Sequence, residues 1–202
     1  MKTAVFSRSF YPPTRAHAWV VRKLAELYPS VLVRPRGRYV ADEFSAIRAD
    51  QREALIRLAF GDINPKRVSY DFTDLDQPFT HPCDLYDRLI RSGLDPVIVI
   101  GSGYVLNGEI GSSDILGKWK DGKRLWNEAP FRVVSREDEC RLEDLPPNTD
   151  GFVLECPIIA SATTVRENYA DGNVEAAEHQ LPSQVAAYIR EQSLFRQIDL
   201  SI

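Results

Sequence analysis

VFSRSFYPPTRAH, residues Val5–His17, decides how the chain folds. A short apolar run, Thr3–Phe6, enters it and reads as a buried first strand. A helical pattern leaves it near Arg15. Pro12 and Pro13 set the backbone just before that helix begins. The stretch is therefore a strand-to-helix loop. Such a loop gathers unpaired backbone N–H groups and the positive end of a helix dipole at one point, which favours a bound phosphate. Thr14 and His17 stand three residues apart, so their side chains share a face of the first turn. A hydroxyl and an imidazole there can address one anion; as a pattern, T-x-x-H also describes an ordinary helix cap.

Working outward, apolar spacing predicts a helix over Arg15–Leu27, with Val20, Val21, Leu24 and Leu27 inward and Trp19 beside them. Val31–Arg34 is a second strand. A mixed loop follows from Tyr39 to Ala49. A helix is predicted over Asp50–Phe60, with Leu55, Ile56, Leu58 and Ala59 on its inner side and Gly61 as its stop. Val68–Phe72 is a third strand. Thr73–Pro82 is polar, carries two prolines and reads as a loop near a site, with Asp74 and Asp76 in a solvated turn. A helix over Cys83–Arg91 leads to Pro96–Ile100, PVIVI, the clearest central strand: continuous, β-branched, and bounded by proline and glycine. Gly101-Ser102-Gly103 follows it at once. Tyr104–Gly117 is glycine-rich and reads as a flexible stretch or an ordered lid. Lys118–Trp126 is short, basic and aromatic. Phe131–Ser135 and Phe152–Glu155 are further strands, separated by the acidic, polar run Glu137–Asp150. A helix led in by Ile158–Arg166 ends at Asp171-Gly172, and a last one spans Pro182–Gln192 with Val185, Tyr188 and Ile189 inward.

Strands that alternate with helices from end to end predict an α/β fold with a mainly parallel sheet. Ligands of such sheets bind at the carboxyl ends of the strands. The loops after Phe6 and after Ile100, and the segment Ser161–Arg166, all belong at that edge. Ser161 and Thr163 bring hydroxyls that can cap a helix, and Arg166 brings a planar fork suited to phosphate oxygens.

The bulk numbers narrow the class. The chain has 202 residues, 44% hydrophobic and 27% charged, as expected of a soluble globular protein. Its net charge of −4 argues against a nucleic-acid partner. No apolar run approaches membrane-spanning length, and the first residues read as a strand rather than a signal peptide. Cys83, Cys140 and Cys156 show neither zinc spacing nor a disulfide framework, so the expected compartment is the cytoplasm.

The loop resembles a signature of the nucleotidyltransferase superfamily, G-G-S-F-D-P-P-H/T-x-G-H. Ser9, Phe10, Pro12, Pro13, Thr14 and His17 match it. Ser7 and Arg8 stand where the family has paired glycines, Tyr11 where it has an acidic residue, and Ala16 where it has glycine. ASATTVR, Ala160–Arg166, resembles the second signature, I-S-S-T-x-I-R, through Ser161, Thr163, Val165 and Arg166. IGSGYVLNG, then Lys118-Trp119, then FRVVSR resembles the stretch G-x-D … W … V-V-x-R, with Gly103 in place of the family's ribose-contacting aspartate. The tail LPSQVAAYIREQSLF looks like that of bacterial nicotinate-nucleotide adenylyltransferases.

This resemblance implies a Rossmann-like doubly wound parallel sheet flanked by helices. It implies one nucleotidyltransferase-like domain over 1–202, with a C-terminal helical part at about 160–202. It implies nucleotidyl transfer: ATP with Mg²⁺ and a small phosphorylated acceptor, nicotinate or nicotinamide mononucleotide, giving a dinucleotide of the NAD pathway and pyrophosphate. It places His17, Thr14 and Arg166 at the reacting phosphates. Ser9, Phe10, Ser161, Thr163, Gly101 and Ser102 would hold the nucleotide, and Trp119 would lie on the acceptor ring. No resident metal site is expected, since Mg²⁺ arrives with the nucleotide. His81 and His179 read as ordinary loop and surface residues. The family often has a lysine or histidine pair after its second strand, where this chain has Arg36, Gly37, Arg38 and Tyr39. The departures leave two other readings open: a cytidylyl- or adenylyltransferase for another phosphorylated acceptor, and a catalytically silent nucleotide-binding module. Arg8 either blocks the phosphate approach or adds a cation to it. A homo-oligomer is among the assemblies the sequence allows.

Overall fold

Parallel strands need crossover connections, and this chain supplies one between each strand and the next. The computed structural model describes residues 1–39, 47–135 and 140–195. Strands β1 (Lys2–Arg8), β2 (Ser30–Pro35), β3 (Val68–Tyr70), β4 (Asp95–Gly101), β5 (Phe131–Ser135) and β6 (Leu154–Glu155) form one six-stranded sheet in the order β3-β2-β1-β4-β5-β6. Every pairing is parallel. The helices are α1 (Arg15–Leu27), α2 (Ala49–Phe60), α3 (Pro82–Arg91), α4 (Asp114–Lys118), α5 (Gly122–Glu128), α6 (Ala162–Ala170), α7 (Val174–His179) and α8 (Ser183–Glu191). The chain runs from β1 outward to β3, then returns to lay β4 on the other side of β1. The crevice between β1 and β4 is the topological switch point, where ligands of doubly wound sheets bind.

Alternation along β1 divides the core. Ala4 and Phe6 face one layer and Val5 the other. Val20, Val21 and Leu24 of α1, Leu55, Ile56 and Phe60 of α2, and Val185 and Ile189 of α8 pack in the first layer. Leu85 and Leu89 of α3 pack on Val5. Ile115 and Leu125, from α4 and α5, pack with Ile100, Phe131 and Val133. The corner between α4 and α5 needs Gly122, because a Cβ there would lie 1.7 Å from the Ile115 carbonyl oxygen.

Several boundaries differ from the sequence reading. β1 runs on to Arg8 because Ser7 and Arg8 pair with Arg34 and Pro35, and the ladder bonds through backbone whatever the side chain. β3 and β6 are shorter than predicted, and Phe152 is 87% exposed rather than a strand residue. Helix α7, too polar to show an apolar stripe, has no counterpart in the prediction. Leu27 is exposed because Tyr28, capping α1, turns inward in its place. Leu58 is exposed because it falls outside the arc that Arg52, Leu55, Ile56 and Ala59 turn to the core. Within Tyr104–Gly117, Val105 and Ile115 are fully buried, which packs both ends of the stretch down. Parts of the loop expected over Tyr39–Ala49 and of the polar run Glu137–Asp150 lie outside the described residues, as does Arg136 of FRVVSR. No helix among the described residues is long and apolar enough to cross a membrane.

Candidate functional site

The site begins where β1 ends. Phe10 takes a positive φ of 48°, which reverses the chain and buries its ring against Phe6, Phe60 and His17. Thr14 then caps α1. Its backbone N–H donates to His17 Nδ1 at 3.0 Å, and its Oγ1 accepts from the His17 backbone N–H at 3.5 Å. This is a capping box with histidine in the place that glutamate or glutamine usually takes. The box has a chemical consequence. A backbone N–H can only donate, so Nδ1 is the acceptor and the neutral ring carries its hydrogen on Nε2. His17 lines the cleft, and the tautomer makes it a hydrogen-bond donor there.

Helix α6 approaches from the other side. Ser161 caps it, accepting from the Thr164 N–H at 3.5 Å, and its own N–H donates to Gln180 Oε1 at 3.0 Å. Arg166 Nη1 donates to the Tyr11 carbonyl at 2.5 Å, Nη2 donates to Thr163 Oγ1 at 3.3 Å, and the guanidinium lies 5.0 Å from the Tyr11 ring centroid. The two signature segments are thus bonded to each other across the cleft.

Two cavities adjoin at the switch point. One, of about 690 Å³, has His17, Gly101, Gly103, Asp114, Ser161, Thr163 and Arg166 on its wall. The other, of about 350 Å³, is lined by Tyr39, Phe79, Tyr86, Tyr104 and Trp119, together with His81 and Lys118. No carboxylate among the described residues lines this second cavity. Arg8, Ser9, Arg36 and Tyr104 belong to both. Burial, seconded by the charge of Glu128, pushes the Tyr86 phenol above its usual range.

The cleft edges are stitched from beneath by buried arginines. Arg52, 1% exposed, donates to the carbonyls of Ser9, Arg36 and Leu75, one each from the loops after β1, β2 and β3. Arg34, on β2, pairs with Asp71 at 2.9 Å and with Asp74. Asp74 also accepts from the Thr80 hydroxyl and faces Arg88 at 3.6 Å. The solvated turn expected around Asp74 is corrected: this carboxylate is 3% exposed and anchors the loop that carries Phe79, Thr80 and His81. Asp76 is exposed, as expected.

Of the residues singled out in the sequence, Ser9, His17, Gly101, Ser161, Thr163 and Arg166 meet at the larger cavity, and Trp119 lines the smaller. Phe10, Thr14 and Ser102 line neither. Phe10 is core; Thr14 is fully buried beneath His17; Ser102 opens a 3₁₀ turn, where its carbonyl accepts from the Val105 N–H. Trp119 also packs on the core through Tyr104, so wall and core are one surface there. Arg36, Phe79, Tyr86, Tyr104 and Asp114 were absent from the expected site. His81, expected to be an ordinary loop residue, lines the smaller cavity, whereas His179 ends α7 away from both.

No family model matches the chain. Over its length it is similar to a probable nicotinate-nucleotide adenylyltransferase of Acholeplasma laidlawii, 23% identical over 200 residues that cover 96% of this chain and 97% of that one. A second, of Chlorobaculum tepidum, is 25% identical over 208 residues, covering 96% and 99%. Among solved structures, the nicotinic acid mononucleotide adenylyltransferase of Plasmodium falciparum superposes with a TM-score of 0.75 in its complex with NaAD and 0.73 in its complex with APC. Sequence identity is 18% and 17%, and 96% of this chain is covered in each case. The shared fold therefore spans nearly the whole chain.

Proposed function

We propose that this protein transfers an adenylyl group from ATP to nicotinate mononucleotide, forming the dinucleotide and pyrophosphate. The carrying observation is the pair of cavities that meet at Arg8, Ser9, Arg36 and Tyr104. One offers donors for a polyphosphate, the other flat walls for an aromatic ring, and in-line transfer needs two substrates whose phosphates meet end to end. An acceptor phosphate oxygen bonds to the α-phosphorus as the bond from that phosphorus to the bridging oxygen breaks, and pyrophosphate leaves. The chain's part is positioning and charge stabilisation. His17 donates through Nε2 to the α-phosphate region, and Thr14 holds its ring. Arg166 and Thr163 take the leaving phosphates, and Trp119 and Tyr104 flank the acceptor ring. The donors that line the larger cavity, His17, Ser161, Thr163 and Arg166, suit phosphate oxygens, and a Mg²⁺ carried in on the nucleotide with its own waters would neutralise phosphate charge there. The relatives' names, the three free thiols and the net charge of −4 support a cytoplasmic enzyme acting on small molecules.

Charge chooses between the two pyridine acceptors. Arg8, Arg36 and Lys118 give the aromatic cavity a cationic lining, Lys118 being paired with Asp114 at 2.8 Å, and a cationic lining favours a ring that carries a carboxylate. Pyrophosphate release should be measured with Mg²⁺ and ATP, giving nicotinate and nicotinamide mononucleotides in parallel. Release with both is expected, with kcat/KM higher for nicotinate by roughly tenfold or more, the worth of one charge-assisted hydrogen bond. Silence with both sinks the proposal, and CTP with other phosphorylated acceptors becomes the next panel.

Asp114 answers the missing family aspartate. Gly103 has no side chain to offer a ribose, and Asp114, from the first turn of α4, reaches the same cavity. Asp114→Ala is expected to raise KM for ATP roughly tenfold, with little change for the 2′- or 3′-deoxy analogue whose lost hydroxyl it served. An equal rise for ATP and both analogues removes Asp114 from ribose recognition.

A further inference from the structure

Helix α6 is tied to the first signature through two different residues. One is Arg166, on the Tyr11 carbonyl. The other is Gln180, the residue that follows α7 and lies in neither signature. Its side-chain Oε1 accepts from the Ser161 N–H at 3.0 Å, at the cap of α6. Its backbone carbonyl accepts from the Arg15 N–H at 2.9 Å, at the first residue of α1. Gln180 thus bonds the starts of both helices that carry the phosphate-side groups, one with each of its oxygens. Its own backbone is fixed independently of its side chain. The Gln180 N–H donates to the Ala177 carbonyl at 3.2 Å, and Ala177 and Leu181 are buried in the main core. Arg15 Nη1 adds a bond to the His179 carbonyl at 3.2 Å. The contacts close a ring: Tyr11 to Arg166, along the first turn of α6 to Ser161, across to Gln180, and through Arg15 back to Thr14 and His17. Residues 156–161, which lead into α6, belong to no strand or helix. The start of α6 therefore takes its place from the burial of Val165 and from these two ties.

We infer that Gln180 is a positioning residue for the polyphosphate. Its amide oxygen holds Ser161, and with it the Thr163 hydroxyl and the Arg166 guanidinium, in register with His17. The inference rests on the reading that these groups hold the phosphates of ATP. Gln180 acts through α6, since it lines neither cavity of the site. Without an acceptor the part-buried Ser161 N–H has lost its partner, and the first turn of α6 moves to find another. A group displaced by about 1 Å from its working position forfeits on the order of 10² in rate. The backbone carbonyl of Gln180 stays whatever the side chain is, so a substitution releases α6 and leaves α1 held. None of the described residues that line the aromatic cavity lies on α6, so the effect belongs to ATP and not to the acceptor.

The test is steady-state turnover of the wild type, Gln180→Met and Gln180→Glu with Mg²⁺, ATP and nicotinate mononucleotide, each substrate varied in turn. Thermal melts and calorimetric titration with inorganic pyrophosphate run alongside. Methionine matches glutamine in length and lacks the amide oxygen, whereas glutamate keeps an oxygen for the Ser161 N–H. Gln180→Met is expected to raise KM for ATP and to weaken pyrophosphate binding, each by about tenfold, and to lower kcat by about tenfold or more. Its KM for the mononucleotide is expected within about twofold of the wild type, a split that a general loss of structure would not give. Gln180→Glu is expected to recover most of kcat. An unchanged KM for ATP in Gln180→Met, an equal rise for both substrates, or a Gln180→Glu no better than Gln180→Met overturns the inference. A wild type that binds pyrophosphate without turnover sinks the transfer reading alone, and Gln180→Met must then weaken pyrophosphate binding for the positioning role to stand. A wild type that binds no pyrophosphate overturns both.

Discussion

Replacing His17 by glutamine is expected to cut turnover by about 10²–10³-fold while the protein melts at or above the wild-type temperature. The two halves of this result come from the two ends of one ring. At Nδ1 the imidazole accepts from the Thr14 backbone N–H and closes the capping box of α1. Glutamine at the third helical position closes the same box through its carbonyl oxygen, so the fold keeps its cap. At Nε2 the ring offers a hydrogen to the cleft from a rigid plane, held between the Thr14 contact and the edge of Phe10 at 5.2 Å. The glutamine amide is differently aimed and less rigidly held, and a donor misplaced by about 1 Å forfeits on the order of 10² in rate. His17→Ala should lose both, with a stability cost of about 1 kcal/mol for the broken cap. Turnover and melting measured on the two variants separate the roles. Wild-type turnover in His17→Gln would leave the histidine a cap and nothing more.

What could be read in the sequence was local, and what could not was assembled from distant segments. PVIVI is legible because a parallel strand covered on both faces must be apolar throughout. T-x-x-H is legible because a capping box is fixed by spacing along one turn. The phosphate-side cavity follows once both signatures are placed at strand ends. Of the aromatic cavity, Trp119 and the loop over 73–82 leave a trace, whereas Arg36, Phe79 and Tyr104 do not, since they enter it from three different loops. The inward ring of Phe10 follows from a positive φ, and nothing in the residue itself announces that reversal. Ser102 stands off the wall that its neighbours line because a 3₁₀ turn follows Gly101. Arg34 and Arg52 are charged residues that sequence reasoning assigns to the surface. Each is buried because its partners are carbonyls or carboxylates from other loops.

The burial of Asp74 leads to the largest expected effect on stability. Asp74→Asn should destabilise the fold by about 3–5 kcal/mol, because it leaves the buried Arg34 guanidinium with Asp71 as its remaining carboxylate partner. Burial opposes the charge on Asp74, but hydrogen bonds from Thr80 and Arg34, with the charges of Arg34 and Arg88, outweigh it and hold its pKa below the usual carboxylate range. Asp71 follows the same pattern: burial raises its pKa, and Thr73 and Arg34 lower it further. A carboxylate whose pKa is lower folded than unfolded adds stability that is fully present above the unfolded value of about 3.9 and is lost as pH falls through the folded one. The wild-type protein should therefore lose stability steeply on acidification below about pH 4, and Asp74→Asn should show a flatter acid limb from a lower plateau. Urea unfolding at a series of pH values reads both quantities. A variant with the wild-type midpoint at neutral pH would mean that Arg34 is compensated without Asp74. The same substitution reaches the site, because Asp74 fixes the turn that presents Phe79 and His81 to the aromatic cavity. Loss of acceptor affinity should therefore appear in the fraction that remains folded, ahead of any loss of ATP affinity.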